Sequence, residues 1–492
     1  MQRLRLHLIW FVIFGLMAIN SFAQVELSLE DVVQISRTKN LSARKAYVES
    51  KSAYWNFQIH KSNLRPQLRL NTQLADFSMG TTPVSQEDGT IEIKTINQNS
   101  SNASISLLQP LPFLGALVFM NSYLYRFDNF SNNTHSYSSQ PLEVGLQLPV
   151  LKFSQLKWDK RIEPILYQES QKEYDRDLEL SAFQAVDLFF RNLSDRHEFN
   201  MANFNMEINT ELYRISEEKF KTGRISKDEL LQVQLMMVNA QKSLKAAKVE
   251  MENSSLLLLT HLSLSEINDF TPIVPDFIPD FTVTTTQAIE FALKYNPESI
   301  SFKRRLIQAE QEVARTKGAT GITGDVYATM GYGSNFDKLA DWQQDLNQHA
   351  NLQVGLSIPI IDWGRTHAAR KKAEMKQELE QTTVQQEQIN FEKEIIALVN
   401  IVEMLKENIQ VETEAKNISA ERYEIAYKRY LAGDLSILEL NMAQNEKDIA
   451  SRSLLSIQGN FWVSYHRLRM ITLYDFITQT PLISINENNI IN

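Results

Sequence analysis

The chain has 492 residues, a formal net charge of −9 and no cysteine. Without cysteine there can be no disulfides, thiol catalysis, cysteine-based metal site or lipid anchor on an N-terminal cysteine. The mild acidity argues against a nucleic-acid binder, and the length alone would suggest two or three domains.

Residues 1–23 read as a secretory signal peptide. Arg3 and Arg5 form a short basic start, Leu6 to Ala18 is almost wholly apolar, and Ser21-Phe22-Ala23 offers small residues where signal peptidase reads. The mature chain is then expected to start at Gln24, and losing the two arginines takes the net charge from −9 to −11. The apolar run is too short for a confident membrane span, and no other stretch approaches 18 uninterrupted apolar residues.

A first helix is expected from Ser28, whose hydroxyl can cap the chain start with Asp31 as partner, to about Asn63. Alternation follows, with Leu68, Leu70, Thr72 and Leu74 on one face and Gln67, Arg69, Asn71 and Gln73 on the other, the period of a half-exposed strand. After a polar loop come two strand-like stretches, Ala103 to Pro110 and the aromatic-rich Ala116 to Phe130, and then a strand ending in "QLPVLKF". Pro149 sits at that strand's end, where a lost ladder N–H matters least. Ile165 to Thr222 then lacks Gly and Pro, turns at Gly223, and resumes a helical pattern capped by Ser226.

The second half repeats this plan. A helix is expected from Thr284 to about Lys317, a strand with Val326, Ala328, Met330 and Tyr332 on one face, and a strand ending in "SIPIIDW" at Pro359. Arg365 to Ala432 is 68 residues without Gly or Pro, on the order of 100 Å if helical throughout, as one helix or two stacked end to end. A turn at Gly433 and a cap at Ser436 follow. "FKTGRIS" at Phe220 to Ser226 matches "YLAGDLS" at Tyr430 to Ser436, and "VGLQLPVLKFS" from Val144 matches "VGLSIPIIDWG" from Val354, both at an offset of 210. The opening segments, "SLEDVVQISRTKN" and "TTTQAIEFALKYN", match at 256, so the first half carries about 46 extra residues between Asn40 and Val144. The matches predict an internal duplication: a first repeat over 24–270, a second over 271–472, and a C-terminal tail over 473–492. On the long helices, apolar residues at spacings of three and four, as in Ile395, Leu398, Val402, Leu405 and Ile409, form a narrow coiled-coil-like seam. A broad polar remainder fits a wall wetted on both sides better than a filled bundle.

These pieces resemble the TolC-like outer-membrane efflux proteins over essentially the whole mature chain. The resemblance rests on "LSIPIIDWGRTHAARKKAE" from Leu356, the turns "KTGRISKDELLQVQ" and "LAGDLSILELNMAQ", the capping segments, and their order behind a signal peptide. It implies a mainly α fold with a small β part: a homotrimer whose strands join into one outer-membrane β-barrel, continued by an α-helical barrel across the periplasm. Four strands with two open edges cannot sit in lipid alone, so such a barrel must be shared. The region around "LQPLPF" and "YLYRFDNF" departs from four strands: the extra pair enlarges the barrel, extends it outward, or forms a separate hairpin. The implied partners are a periplasmic adaptor (membrane fusion) protein, an inner-membrane pump of RND or ABC type, and outer-membrane lipid.

By the same resemblance the helical turns meet the adaptor, a role that falls on Thr222, Gly223, Arg224, Ile225 and Ser226 and on Ala432, Gly433, Asp434, Leu435 and Ser436. Each glycine also has a backbone reason to stand at a turn. Acidic residues after the second turn would ring a closed aperture, which picks out Glu439, with Met442 where a second acid is common and Asp228 and Glu229 as the first-half candidates. The competing reading is first-turn charges favoured by the helix dipole. Trp158, Trp363, Phe153 and the aromatics from Phe119 to Phe130 are candidates for membrane-interface anchors or for packing at the barrel-to-helix junction.

No enzyme is expected. The eight histidines form no H-x-x-x-H pair, there is no Walker A loop or nucleophile elbow, and Gly318, Gly321 and Gly324 follow a helix and precede a strand, the wrong context for a dinucleotide. No cofactor or metal is implied. The function expected is an outer-membrane channel of a tripartite efflux or secretion system that passively conducts cargo. The alternative is an envelope-spanning tether without a channel.

Overall fold

The structure, a computed structural model, describes residues 25–264, 270–273, 275, 278–342 and 345–483. The expected signal peptide lies outside the described residues. Two compact units are present: one formed by residues up to Val48, Glu173–Asn296 and the chain from Glu392, the other by Glu49–Lys172 and Pro297–Phe391. Among the described residues no helix is long and apolar enough to cross a membrane.

Each half opens with two helices where one was expected. The first half has β1 (Val25–Leu27), α1 (Leu29–Thr38) and α2 (Leu41–Asn63). Ser28 and Asp31 form the expected reciprocal cap. The break falls at buried Asn40, whose side-chain oxygen accepts from the Ser42 N–H at 2.9 Å and restarts the helix.

The second half has α5 (Thr285–Tyr295) and α6 (Pro297–Thr320), broken at the matching residue, Asn296. There Pro297 disfavours helical geometry in the residue before it and starts the new helix at its first position. Both asparagines are pinned across the unit or by its backbone: Asn40 Nδ2 donates to Ser181 Oγ at 2.9 Å and Asn296 Nδ2 to the Ile471 carbonyl at 2.7 Å.

The sheet lies wholly in the second unit. Its strands are β2 (Gln67–Ser85), β3 (Ile91–Leu111), β4 (Ala116–Asn129), β5 (Thr134–Val150), β7 (Thr323–Phe336) and β8 (Asn347–Ser357). The short β6 (Phe270–Pro272) instead pairs with β1 in the first unit. The six strands form one antiparallel meander in the order β2-β3-β4-β5-β7-β8. The extra pair of strands is therefore inserted within the sheet, and the separate-hairpin alternative is excluded. Residues 75–102, read from sequence as largely a polar loop, belong mostly to strand. Their many Ser, Thr and Asn side chains mask the alternation, and the backbone satisfies its hydrogen bonds through the β2–β3 ladder.

Each half then runs into a long αα-hairpin: α3 (Gln155–Lys221, 67 residues) with α4 (Lys227–His261), and α7 (Arg365–Ala432, 68 residues) with α8 (Ile437–Thr472). Each long run is thus one helix, not two stacked pieces. Asn192, at the point where a break was conceivable, continues α3 and donates from Nδ2 to Ser254 and Ser255 on α4 at 3.1 and 2.9 Å. The chain ends, among the described residues, in the hairpin β9 (Tyr474–Asp475) and β10 (Thr480–Pro481), where Tyr474 stacks on Phe291 of α5 at 4.1 Å.

Candidate functional site

Register decides what the sheet can do. Leu68 pairs with Leu107, Leu107 with Met120, Met120 with Val144, Val144 with Met330 and Met330 with Ala350. One strand step on, Leu70 and Ile105 share this face, as do Ala328 and Leu352. Apolar residues thus occupy one face of all six strands and are exposed or half-exposed, with Leu68 at 71 % and Leu352 at 70 % of full exposure. The opposite face carries Arg69, Asn71, Asn102, Ser104, Asn121, Glu143, Thr329, Asn351 and Gln353 at the alternate register positions. This is the inverse of a water-soluble sheet packed on a core, and it is the pattern of a sheet with lipid on one side and water on the other.

Two irregularities preserve the pattern. The register shifts between Gln73 and Asp76, so Phe77 and Met79 return to the face of Leu68 and Leu70. A second shift, between Asn121 and Tyr123, does the same on β5, keeping Leu142 and Tyr137 in line. At the end of the sheet away from its helices, Tyr332, Tyr137 and Phe336 occupy the apolar face, the last two stacked at 5.6 Å. At the helical end Trp363 is 96 % exposed beside Ile360 and Ile361. These are the places for an interfacial aromatic girdle.

The aromatics Phe119, Tyr123, Tyr125 and Phe127 do not belong to that girdle. Period two puts them on the polar face, where they pair with Leu108, Ser104, Asn102 and Ser100 of β3 respectively. Phe119 is buried over Gly145, where any Cβ would lie 2.2 Å from its ring, and stacks with Tyr327 at 5.8 Å. Phe153 packs at the junction: Gly318 approaches so closely that a Cβ would meet the Phe153 backbone nitrogen at 2.5 Å. That contact explains one member of the glycine triplet. Trp158 is covered by the Arg161 guanidinium at 4.7 Å.

The two helical turns are built alike and lie side by side in the first unit. Gly223 and Gly433 take φ of +71° and +89°, a conformation that costs other residues strain. In each, two backbone bonds close the helix end: Arg224 N–H to the Lys219 carbonyl and Gly223 N–H to Phe220, both 2.9 Å, and Asp434 to Arg429 at 3.0 Å and Gly433 to Tyr430 at 3.1 Å. Thr222 Oγ1 adds a bond to Lys219 at 3.0 Å. Ser226 and Ser436 cap the returning helices. A cavity of about 350 Å³ lies between the turns, lined by Arg224, Ile225, Ala432, Gly433, Leu435 and Ser436 among others. Behind it Leu212, Val233, Tyr423, Tyr430, Ile437 and Leu440 form a buried cluster that joins the two hairpins.

The candidate aperture acids are exposed, and each accepts a hydrogen bond from its own turn or helix. Glu439 accepts from the Ser436 N–H at 3.0 Å and hydroxyl at 2.7 Å, and Glu229 accepts from the Ser226 N–H at 2.8 Å. Both are capping-box partners. The Ser436 hydroxyl and then its N–H hold the Glu439 carboxyl below the usual glutamate range. Asp228 accepts from Gln232 at 3.0 Å.

Residues 325–472 match the sequence model of the family described as outer membrane efflux protein. The match covers the last strands of the sheet and the second helical hairpin and leaves the first half of the chain unmatched. No curated protein sequence is significantly similar to the chain. Solved structures are similar in fold. A membrane protein from Pseudomonas aeruginosa is 12% identical with a TM-score of 0.66, covering 94% of both chains. The CmeC outer membrane channel of Campylobacter jejuni is 16% identical with a TM-score of 0.65, covering 94% of this chain and 88% of that one. The open MtrE outer membrane channel of Neisseria gonorrhoeae is 14% identical with a TM-score of 0.60, covering 90% and 88%.

The family matched by residues 325–472 is one of outer-membrane efflux channels, and its members are not enzymes. The first unit also contains a buried charge network that no local sequence pattern marks. Glu179, fully buried on α3, lies 2.6 Å from Arg37 of α1 and 3.5 Å from Arg469 of α8, and Arg469 pairs with Asp475 at 3.1 Å. Tyr465 donates to the same Asp475, and burial followed by this bond pushes its hydroxyl far above the usual tyrosine range. Arg469, Tyr465 and Asp475 are close in sequence, but Glu179 lies 142 residues from Arg37 and 290 from Arg469, so no local pattern brings the acid to its arginines.

Proposed function

We propose that the protein is the outer-membrane channel of a tripartite efflux or secretion system and works as a homotrimer. Its strands would close into a barrel shared among the subunits. The long helices would extend the conduit into the periplasm as an α-helical barrel, and cargo would pass passively. The observation that carries this reading is the exposed apolar face running across six strands whose other face is polar. That arrangement is stable only with lipid on one side, and its two open edges must be paired inside lipid.

The turns at Thr222–Ser226 and Ala432–Ser436 are proposed as the adaptor contact, with an RND or ABC pump beyond it. Their backbone is fixed by paired hydrogen bonds, and the space between them is a preformed groove. Glu439, Asp228 and Glu229 are the candidate lining of a closed aperture, where three-fold rings of carboxylates would favour cations. The recurrence of two helices, strands and an αα-hairpin in each half supports an origin by duplication, with repeats over 24–270 and 271–472. A tether without a channel leaves the lipid-suited sheet unexplained.

Outer-membrane fractionation and planar bilayers test the proposal. We expect detergent-extracted trimers that insert as ion-conducting pores. A water-soluble monomer without conductance would overturn it.

A further inference from the structure

The inserted hairpin β3–β4 stands between β2 and β5, not beside the sheet. Its members continue the apolar face without a gap: Leu107 and Met120 link Leu68 on one side to Val144 on the other. Its helical-end turn is seated at the junction, because Gly115, at φ +72°, has no room for a Cβ, which would lie 2.4 Å from Ser154 Oγ. A hairpin lying outside the membrane would need neither the apolar row nor this seat.

We infer that all six strands of each copy enter the membrane, and that β2 of one copy pairs with β8 of the next to close an 18-stranded barrel from three copies. This rests on the trimeric channel reading above. β2 and β8 are the edges of the sheet and pair with no described strand on their outer sides. An even number of antiparallel strands makes β2 and β8 run in opposite directions, so neighbouring copies meet antiparallel around the ring. At strand spacings of about 4.8 Å and tilts of about 40°, 18 strands enclose a backbone cylinder roughly 36 Å across, against roughly 24 Å for 12 strands. The hairpin insertion therefore acts as a pore-widening element, and the cargo class it suits is large: folded peptides or bulky solutes rather than small ions alone.

The cysteine-free chain allows a direct test. Asn71→Cys on β2 is combined in turn with Asn351→Cys, Gln353→Cys and Gly355→Cys on β8, all on the polar face, and oxidised in outer membranes. We expect at least one pair to give covalently closed trimers. Asn71→Cys with Gln147→Cys on β5 should give no intrachain bond; such a bond would place β2 directly on β5 and overturn the inference. Conductance without any β2–β8 cross-link would overturn it and leave the channel reading intact, whereas absence of conductance removes both. Deleting residues 86–133, which joins β2 to β5, should lower single-channel conductance and the polymer exclusion limit, conductance by about two- to threefold. Unchanged conductance would overturn the inference.

Discussion

At Glu439 one carboxylate has two candidate duties. It accepts from both the N–H and the hydroxyl of Ser436, so it closes the helix start whatever else it does. Glutamine can fill the same capping position, so Glu439→Gln separates the duties. If the protein is the trimeric channel proposed above, trimers should persist and the sensitivity of conductance to divalent cations should change. Unaltered block by divalent cations would mean that the carboxylate does not line the conduit. The pH dependence has a definite sign. The carboxyl is held below the usual glutamate range, so its contribution to the turn is complete above that range and is lost as pH falls through the lowered value. Amide protection factors at Ser436 to Glu439, corrected for intrinsic exchange, should therefore be constant near neutrality and fall only in acid. The turn itself was legible in sequence, because Gly433, Ser436 and Glu439 act on each other within a few residues. The hydrogen bonds that occupy Glu439 were foreseeable as a capping box, but their geometry was not.

Among the elements, α1, α3 and α8 are tied together by Glu179 and its two arginines. Glu179 is fully buried, so removing it leaves Arg37 and Arg469 without their shared partner. Glu179→Ala should destabilise the fold by roughly 1–3 kcal/mol, because the half-buried Arg37 loses its partner while Arg469 keeps Asp475. Loss of trimer thermal stability, with the sheet still protected from protease, is the expected signature; wild-type stability would show that the arginines find other partners. The opening helices teach the same lesson in a smaller way. Periodicity suggested one helix in each half, whereas Asn40 and Asn296 interrupt them. At Asn296 the following proline was a visible signal. At Asn40 the reason lies in Ser181, a residue of another helix.

On the scale of the whole molecule, the two faces of the sheet carry the function. Leu352→Arg puts a charge on the apolar face and should cost on the order of 2–4 kcal/mol near the membrane midplane, read as reduced insertion and fewer trimers. Gln353→Arg, the next residue and on the opposite face, should insert normally and shift ion selectivity. Equal damage from both would mean that the faces are not lipid and water. The alternation that defines these faces was visible for β2 and β7, where Leu68 to Leu74 and Val326 to Tyr332 read cleanly. It was not visible for residues 75–102, where the bulge between Gln73 and Asp76 breaks the alternation that Phe77 and Met79 resume and where Asn97 to Asn102 are polar on both sides.

By itself the sequence determined the helices, their turns and caps, and the repeated order of the halves, because these depend on residues within a turn or two of each other. The tertiary structure decided which strands are neighbours, that the inserted pair lies inside the sheet, and that the Phe119 to Phe127 aromatics face away from the apolar belt. It also brought Glu179 between two arginines. The physical reason is that strand order, bulge-corrected register and buried ion pairs are set by partners far away in the chain, and local periodicity carries no record of them.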